Sequence, residues 1–389
     1  MFKKLLKIAF LFIVISLQAQ NQFKVGAEQL NAYLPLIENK SIAIVANQTS
    51  VIERYNQAPI HLVDSLLKHD IRITKVFAPE HGFRGIVDAG EHVDNEVDKK
   101  TGLPLISLYG KNKKPTNEQL ENIETVLFDI QDVGVRFYTF IATLQLVMES
   151  CIEKGIPIIV LDRPNPHMNY IDGPKMEEKH QSFLGMNSIP LVYGMSIGEY
   201  AEMINKEKWV NPNSEAELHV IRIENFNRKD RVSLSIKPSP NLPNDQSIAL
   251  YPSLGFFEGT TINAGRGTDA QFQRYGSPEF KGHANFELTY TPVSKEGAKY
   301  PKHQNKICYG EDLSQIVAPQ SVHLDWLIKA YNHSDAQTFF LDNSFTKHAG
   351  NEKLRFQIEQ GMSADKIRES WSEDLKEFNE IRLKYLIYN

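Results

Sequence analysis

The feature that most constrains this chain is an alternation. Short, nearly continuous apolar runs at residues 41–46, 73–78, 104–109, 126–130 and 156–161 are separated by stretches of helical periodicity over 61–67, 116–123 and 140–154. A strand that is apolar throughout has to be covered on both faces, which a sheet with one wet face does not provide. The pattern therefore predicts an α/β fold: a Rossmann-like, mostly parallel sheet with helices on both faces. Polar clusters follow four of these runs, namely Asn47-Gln48-Thr49, Glu80-His81, Asp129 with Asp132, and Asp162-Arg163-Pro164-Asn165-Pro166. The carboxyl edge of an open α/β sheet is where ligands bind, so these clusters are the first candidates for a site.

The first 20 residues have a different character. Lys3, Lys4 and Lys7 precede or interrupt an apolar run over residues 5–17, and Gln18-Ala19-Gln20 gives a small-residue exit, the pattern of a secretory signal peptide. The run is too short for a membrane span, and no cysteine follows that could carry a lipid, so export without a lasting membrane anchor is expected, to the periplasm or beyond. Removing residues 1–20 leaves 40 basic against 48 acidic residues. A net charge of about −8 with both signs interspersed argues against nucleic acid as a partner.

The remaining length suits two domains. Less regular elements follow at 189–193 (strand), 196–205 (helix) and 218–223 (strand), and then Lys237-Pro238-Ser239-Pro240-Asn241-Leu242-Pro243, which cannot be helix. The expected division is a Rossmann-like catalytic domain over 21–236 and a smaller α+β auxiliary domain over 237–389, with helices over 321–331 and 364–388. Two cysteines, Cys151 and Cys308, are present, and their spacing does not say whether they pair. The sequence also leaves the oligomeric state open.

Several chemistries can be weighed. Neither G-x-G-x-x-G nor G-x-x-x-x-G-K-[ST] occurs, so no dinucleotide cofactor is expected. Gly194-Met195-Ser196-Ile197-Gly198 satisfies the nucleophile-elbow pattern of a serine esterase or amidase. Ser196 and Glu199, however, also form a helix capping box, which explains both without catalysis. Glu80, His81, Asp129 and Asp132 are residue types that bind divalent metals, but no H-E-x-x-H spacing accompanies them, and metal-free acid/base chemistry is the expectation. Glu80 follows a proline on a turn beside His81, where a partly desolvated carboxylic acid can protonate a leaving group; its bland alternative is an ion pair with Arg84. Asp132, Arg136 and Tyr138 alternate along one segment and can offer charge and a stacking ring, unless Asp132 and Arg136 simply pair with each other. Prolines rigidify Asp162, Arg163 and Asn165. In the second domain Glu258 is a further carboxylate, and Arg266, between two glycines, offers a planar donor fork.

Taken in order, Pro79-Glu80-His81-Gly82-Phe83-Arg84-Gly85, the segment Asp129 to Tyr138, Leu161-Asp162-Arg163-Pro164-Asn165-Pro166, the segment Tyr193 to Glu199, Ser239-Pro240-Asn241-Leu242-Pro243, Tyr251-Pro252, Phe257-Glu258-Gly259-Thr260 and Gly265-Arg266-Gly267-Thr268 resemble the bacterial exo-β-N-acetylmuramidases of the NamZ type, glycoside hydrolase family 171. The resemblance runs over nearly the whole chain after the leader. It implies an active site in a cleft between the two domains and release of terminal N-acetylmuramic acid from the non-reducing ends of peptidoglycan fragments; no cofactor is expected. Muropeptides or disaccharides would be the substrates, and Glu80 the catalytic acid. On that reading His81, Asp132 and Glu258 join Glu80 as catalytic candidates. Asn47, Arg136, Tyr138, Asp162, Arg163, Asn165, Asn241 and Arg266 are the candidate substrate-binding residues, the arginines being suited to a lactyl carboxylate. A non-catalytic muropeptide-binding protein is the alternative that keeps the arginines but does not need Glu80.

Overall fold

The computed structural model describes residues 23–54, 56–84 and 96–389, so the leader expected over 1–20 lies outside the described residues. Its centre is a seven-stranded sheet in the order β5-β6-β4-β1-β7-β8-β9. The strands are β1 (Ile42–Ala46), β4 (Ile73–Ala78), β5 (Glu96–Val97), β6 (Pro104–Ser107), β7 (Thr125–Asp129), β8 (Ile158–Leu161) and β9 (Leu218–Ile221). All neighbours are parallel except the β5–β6 edge pair. In β1 successive residues alternate between two cores: Ala43 and Val45 join one apolar cluster, Ile42, Ile44 and Ala46 the other. Both faces are covered, which is why its sequence is apolar without a break.

Between the first strands sits the antiparallel hairpin β2 (Val51–Arg54) and β3 (Gln57–His61). The helix Phe140–Lys154 ends where Gly155 takes φ 69°, and the Gly155 amide donates to the carbonyls of Cys151 and Ile152. A residue with a Cβ resists that left-handed conformation, and glycine is free to adopt it. The second part of the chain carries a three-stranded antiparallel sheet, β10 (Arg274–Ser277), β11 (Leu288–Tyr290) and β12 (Cys308–Asp312), with β12 in the middle. Short helices surround it, and one apolar cluster runs from Phe128 and Val160 of the large sheet to Phe256, Phe345 and Trp371 of this second part. Cys151 and Cys308 are both buried and free.

Three expected elements differ. Residues 116–123 form turns rather than a helix, although Thr116 and Gln119 make the reciprocal capping bonds. Asn122 turns the chain at φ 61°, three residues before β7, leaving too little length for helix hydrogen bonding to propagate. Residues 189–193 contribute only single bridges from Val192 to Val135 and Asp172; Pro190 has no N–H for a longer ladder. The stretch 364–388 is two helices, Ala364–Glu369 and Ser372–Arg382, followed by a tail. That tail returns to the first part of the chain: the amides of Ile387 and Tyr388 donate to Glu199, and the Tyr388 hydroxyl donates to Asp162.

Candidate active site

The turn after β4 is built as its sequence requires. Pro79 ends the ladder, and His81 and Gly82 both take positive φ, 72° and 74°, which points Glu80 away from the sheet into a cavity of about 600 Å³. Its other walls are Tyr138 and Thr139, immediately before the helix Phe140–Lys154; Asn241 in the proline-rich segment; Tyr251 on the helix Asp245–Leu254; Glu258; Arg266; and Lys347 and His348 on the helix Asp342–Ala349. Tyr109, Lys113 and Phe183 also line it, with the Lys113 ammonium 4.5 Å from the Phe183 ring centroid.

Glu80 is half-buried, and its Oε2 accepts a 2.8 Å hydrogen bond from the Thr139 hydroxyl. It does not pair with Arg84, whose guanidinium is taken by Asp98 at 2.8 Å and Asp64 at 3.2 Å. Glu258 is held by Arg266, Nη1 to Oε2 at 2.7 Å, while Arg266 Nη2 donates to the Gly297 carbonyl. Lys302 lies behind them and donates to the carbonyls of Phe257 and Glu258 at 2.6 and 3.1 Å. Burial pushes the Glu258 carboxyl up, but the charges of Arg266, Lys302 and His348 outweigh it and the net displacement is downward. Glu258 is therefore a carboxylate at neutral pH. Burial lowers Lys302 to about 8. Among the described residues, Lys113 and Lys347 have no carboxylate partner, Lys113 resting instead on the Phe183 ring.

The cavity thus gathers Glu80, His81, Tyr138, Asn241, Glu258 and Arg266 of the expected residues. It does not gather Asn47, Asp132, Arg136, Asp162, Arg163 or Asn165, and each of these has a structural task instead. Asn47 Oδ1 accepts from the amide and hydroxyl of Thr49 and shapes the turn after β1. Asp132 is 1% exposed; its Oδ2 accepts from the Gly134 amide and the Tyr193 hydroxyl, and it forms no pair with Arg136. Arg136 is fully enclosed and donates to the carbonyls of Pro174, Ile189, His348 and Ala349. Two of those are the last carbonyls of a helix, where a cation is favoured. Asp162 accepts from Ser196, Gly198 and Tyr388. Asn165 bridges Met195 and His167. Arg163 forms a two-point ion pair with Asp129, 2.6 and 2.9 Å, and borders a separate cavity of about 440 Å³ beside Glu28 and Gln131.

Thr139, Lys113, Phe183, Lys347 and His348 are not among the expected site residues, and Tyr251 enters the sequence reading only through its Tyr251-Pro252 motif. Tyr251 belongs to a recognisable Tyr-Pro step, and Thr139 directly follows Tyr138. The other four stand on loops or a polar helix where no spacing singles them out.

Burial pushes Asp132 up to about 6, against hydrogen bonds from Tyr193 and Gly134 that lower it. A carboxyl whose native value exceeds its unfolded value of ~4 favours the fold while protonated, and that contribution is lost as pH rises through about 6. Asp132→Asn is expected to flatten the fall in stability between pH 4 and pH 7, read from urea midpoints at the two pH values. An unchanged pH slope would refute the assignment.

The family model described as exo-beta-N-acetylmuramidase NamZ, N-terminal, matches residues 42–246, and the one described as exo-beta-N-acetylmuramidase NamZ, C-terminal, matches residues 249–388. The peptidoglycan beta-N-acetylmuramidase NamZ of Bacillus subtilis (strain 168) is 39% identical over 376 residues, spanning 92% of this chain and 89% of that protein. Two crystal structures of DUF1343 family proteins from Bacteroides fragilis NCTC 9343 share the fold. One superposes with TM-score 0.85 at 39% identity, over 95% of this chain and 99% of that one. The other gives 0.79 at 26% identity, over 94% and 99%.

Proposed function

The chain belongs to the exo-β-N-acetylmuramidase NamZ family, and from that premise we propose that it is an exo-acting glycosidase that releases N-acetylmuramic acid from the non-reducing ends of peptidoglycan fragments. The observation that carries this reading is the pair of carboxylic groups in one cavity: Glu80, fixed by Thr139, and Glu258, ionised beside Arg266. Glycoside hydrolysis runs through an oxocarbenium-like transition state and uses two such groups. Glu80 is the acid that delivers a proton to the departing glycosidic oxygen. Glu258 supplies the negative charge that favours positive charge at the anomeric carbon. Lys113 and Lys347 are cations suited to the lactyl carboxylate, Arg266 being engaged by Glu258 and the Gly297 carbonyl, and Tyr138, Tyr109 and Phe183 offer ring faces to the sugars. The leader at residues 1–20 supports action after export, which fractionation of cells expressing the full chain tests.

The decisive experiment is incubation with a disaccharide carrying N-acetylmuramic acid at its non-reducing end. Free N-acetylmuramic acid and the shortened partner sugar are expected in equal amounts. Intact disaccharide after prolonged incubation would defeat the proposal.

Nothing favours the serine-nucleophile alternative. Ser196 is fully buried; its hydroxyl accepts from the Glu199 amide and donates to Asp162. Ser196→Ala is expected to lower stability by about 1–2 kcal/mol through loss of the helix cap. Turnover per folded molecule should stay within twofold of wild type, and a loss of catalysis at retained stability would restore the serine reading.

A further inference from the structure

Tyr251 lines the cavity, which neither Tyr170, whose buried hydroxyl also has no partner, nor Tyr200, whose hydroxyl accepts from Asn187, does. Tyr33, Tyr138, Tyr193, Tyr290 and Tyr388 all give their hydroxyl protons to protein acceptors, as buried phenols usually do. The Tyr251 hydroxyl has no hydrogen-bond partner among the described residues, and the side chain lines the cavity. Its ring is locked by three edge-on neighbours: Phe137 at 5.2 Å, Tyr138 at 6.1 Å and Phe272 at 4.8 Å between centroids. Rigid placement of a donor without a protein acceptor, in a cavity, implies an acceptor on the ligand. Burial and the nearby charges of Glu258 and Glu80 hold the phenol in its neutral form, so at neutral pH it is a donor.

The substrate offers few acceptors that fit between two carboxylic groups. The ring oxygen gains positive charge in the transition state and is a poor recipient. The lactyl carboxylate is repelled by Glu258 and requires one of the cations. Sugar hydroxyls can donate to the carboxylates themselves. The 2-acetamido carbonyl is neutral, accepts only, and sits on the carbon next to the anomeric centre. We infer that Tyr251 is a further catalytic residue for the proposed reaction, its hydroxyl donating to the 2-acetamido carbonyl of the muramoyl unit being released. It would fix the sugar with its scissile bond toward Glu80 and make the enzyme selective for N-acetylated over 2-hydroxy sugars. The inference rests on the proposed function for the identity of the sugar.

The test compares wild type and Tyr251→Phe, which keeps the ring and its packing, on a muramoyl glycoside and on the same glycoside with a hydroxyl in place of the acetamido group. Binding of free N-acetylmuramic acid and of its 2-hydroxy analogue is measured by calorimetry alongside. The variant is expected to melt within 2 °C of wild type, to lose about 30-fold in kcat/KM on the acetamido substrate, and to lose less than about threefold on the hydroxy substrate, the size of one well-placed hydrogen bond. A variant within threefold of wild type on the acetamido substrate would overturn the inference, as would equal losses on both substrates. If N-acetylmuramic acid binds in a Tyr251-dependent way but neither glycoside is cleaved, the proposed function fails while this contact stands. If the sugar neither binds nor is cleaved, both fall.

Discussion

Glu80→Gln is expected to reduce kcat on a disaccharide by about 10³-fold while leaving the fold and the melting temperature unchanged. Glutamine keeps the size of the side chain and an oxygen to accept from Thr139, so what is removed is the transferable proton. Glu80 sits at the end of β4 on a turn shaped by Pro79 and by positive φ at His81 and Gly82, and this backbone does not depend on the side chain. The departing sugar hydroxyl is a poor leaving group unless protonated, whereas a nitrophenolate leaves without help. The loss should therefore fall to about tenfold or less on a nitrophenyl muramoyl glycoside, in keeping with the proton-transfer component of acid catalysis. Equal losses on both substrates would point away from proton donation and toward a role for Glu80 in binding. Near wild-type turnover of the disaccharide would remove Glu80 from the mechanism altogether.

The same turn shows what a sequence makes legible. A proline followed by two ionisable residues and a glycine at the end of an apolar strand has few places to go, and the cavity is where it goes. The apolar runs were equally transparent, because a strand covered on both faces leaves little room for polar residues; β4 begins and ends where the pattern says, and its two polar residues, Thr74 and Lys75, are only partly buried. Neighbouring strand ends were not transparent. Asn47, Asp129 and Asp162 also follow apolar strands, yet their carboxylates and amide point inward and tie loops, a helix N-terminus and the C-terminal tail to the sheet. A polar residue at a strand end is needed for either purpose, and period alone does not say which way it faces. Arg136 illustrates the same ambiguity, since its four acceptor carbonyls lie 38 to 213 residues away in the chain. The auxiliary part is legible only coarsely because its helices are six to eleven residues long. In the stretch 364–388 the apolar period runs straight through the break at Ser370 and Trp371.

Arg163→Leu is expected to cost about 3–5 kcal/mol of stability, the range seen when one partner of a buried ion pair is removed. Arg163 is 6% exposed and Asp129 0%, so water cannot replace the lost guanidinium. Nε and Nη2 contact the two carboxylate oxygens at 2.6 and 2.9 Å, and Nη2 also donates to the Val51 carbonyl at 2.9 Å. The arginine thereby joins the carboxyl ends of β7 and β8 to the hairpin strand β2. Removing it strands a buried carboxylate with no counter-charge. The double variant Arg163→Leu/Asp129→Leu should recover most of the loss, because two apolar groups leave no unpaired charge. Urea unfolding of the two single variants and the double variant gives the coupling directly, and an additive cycle would refute this account of the pair. Turnover per folded molecule should be close to wild type in Arg163→Leu, since the guanidinium borders the separate cavity beside Glu28 and Gln131 and not the one that holds Glu80 and Glu258. A selective loss of affinity for the anionic sugar at retained stability would return Arg163 to the substrate.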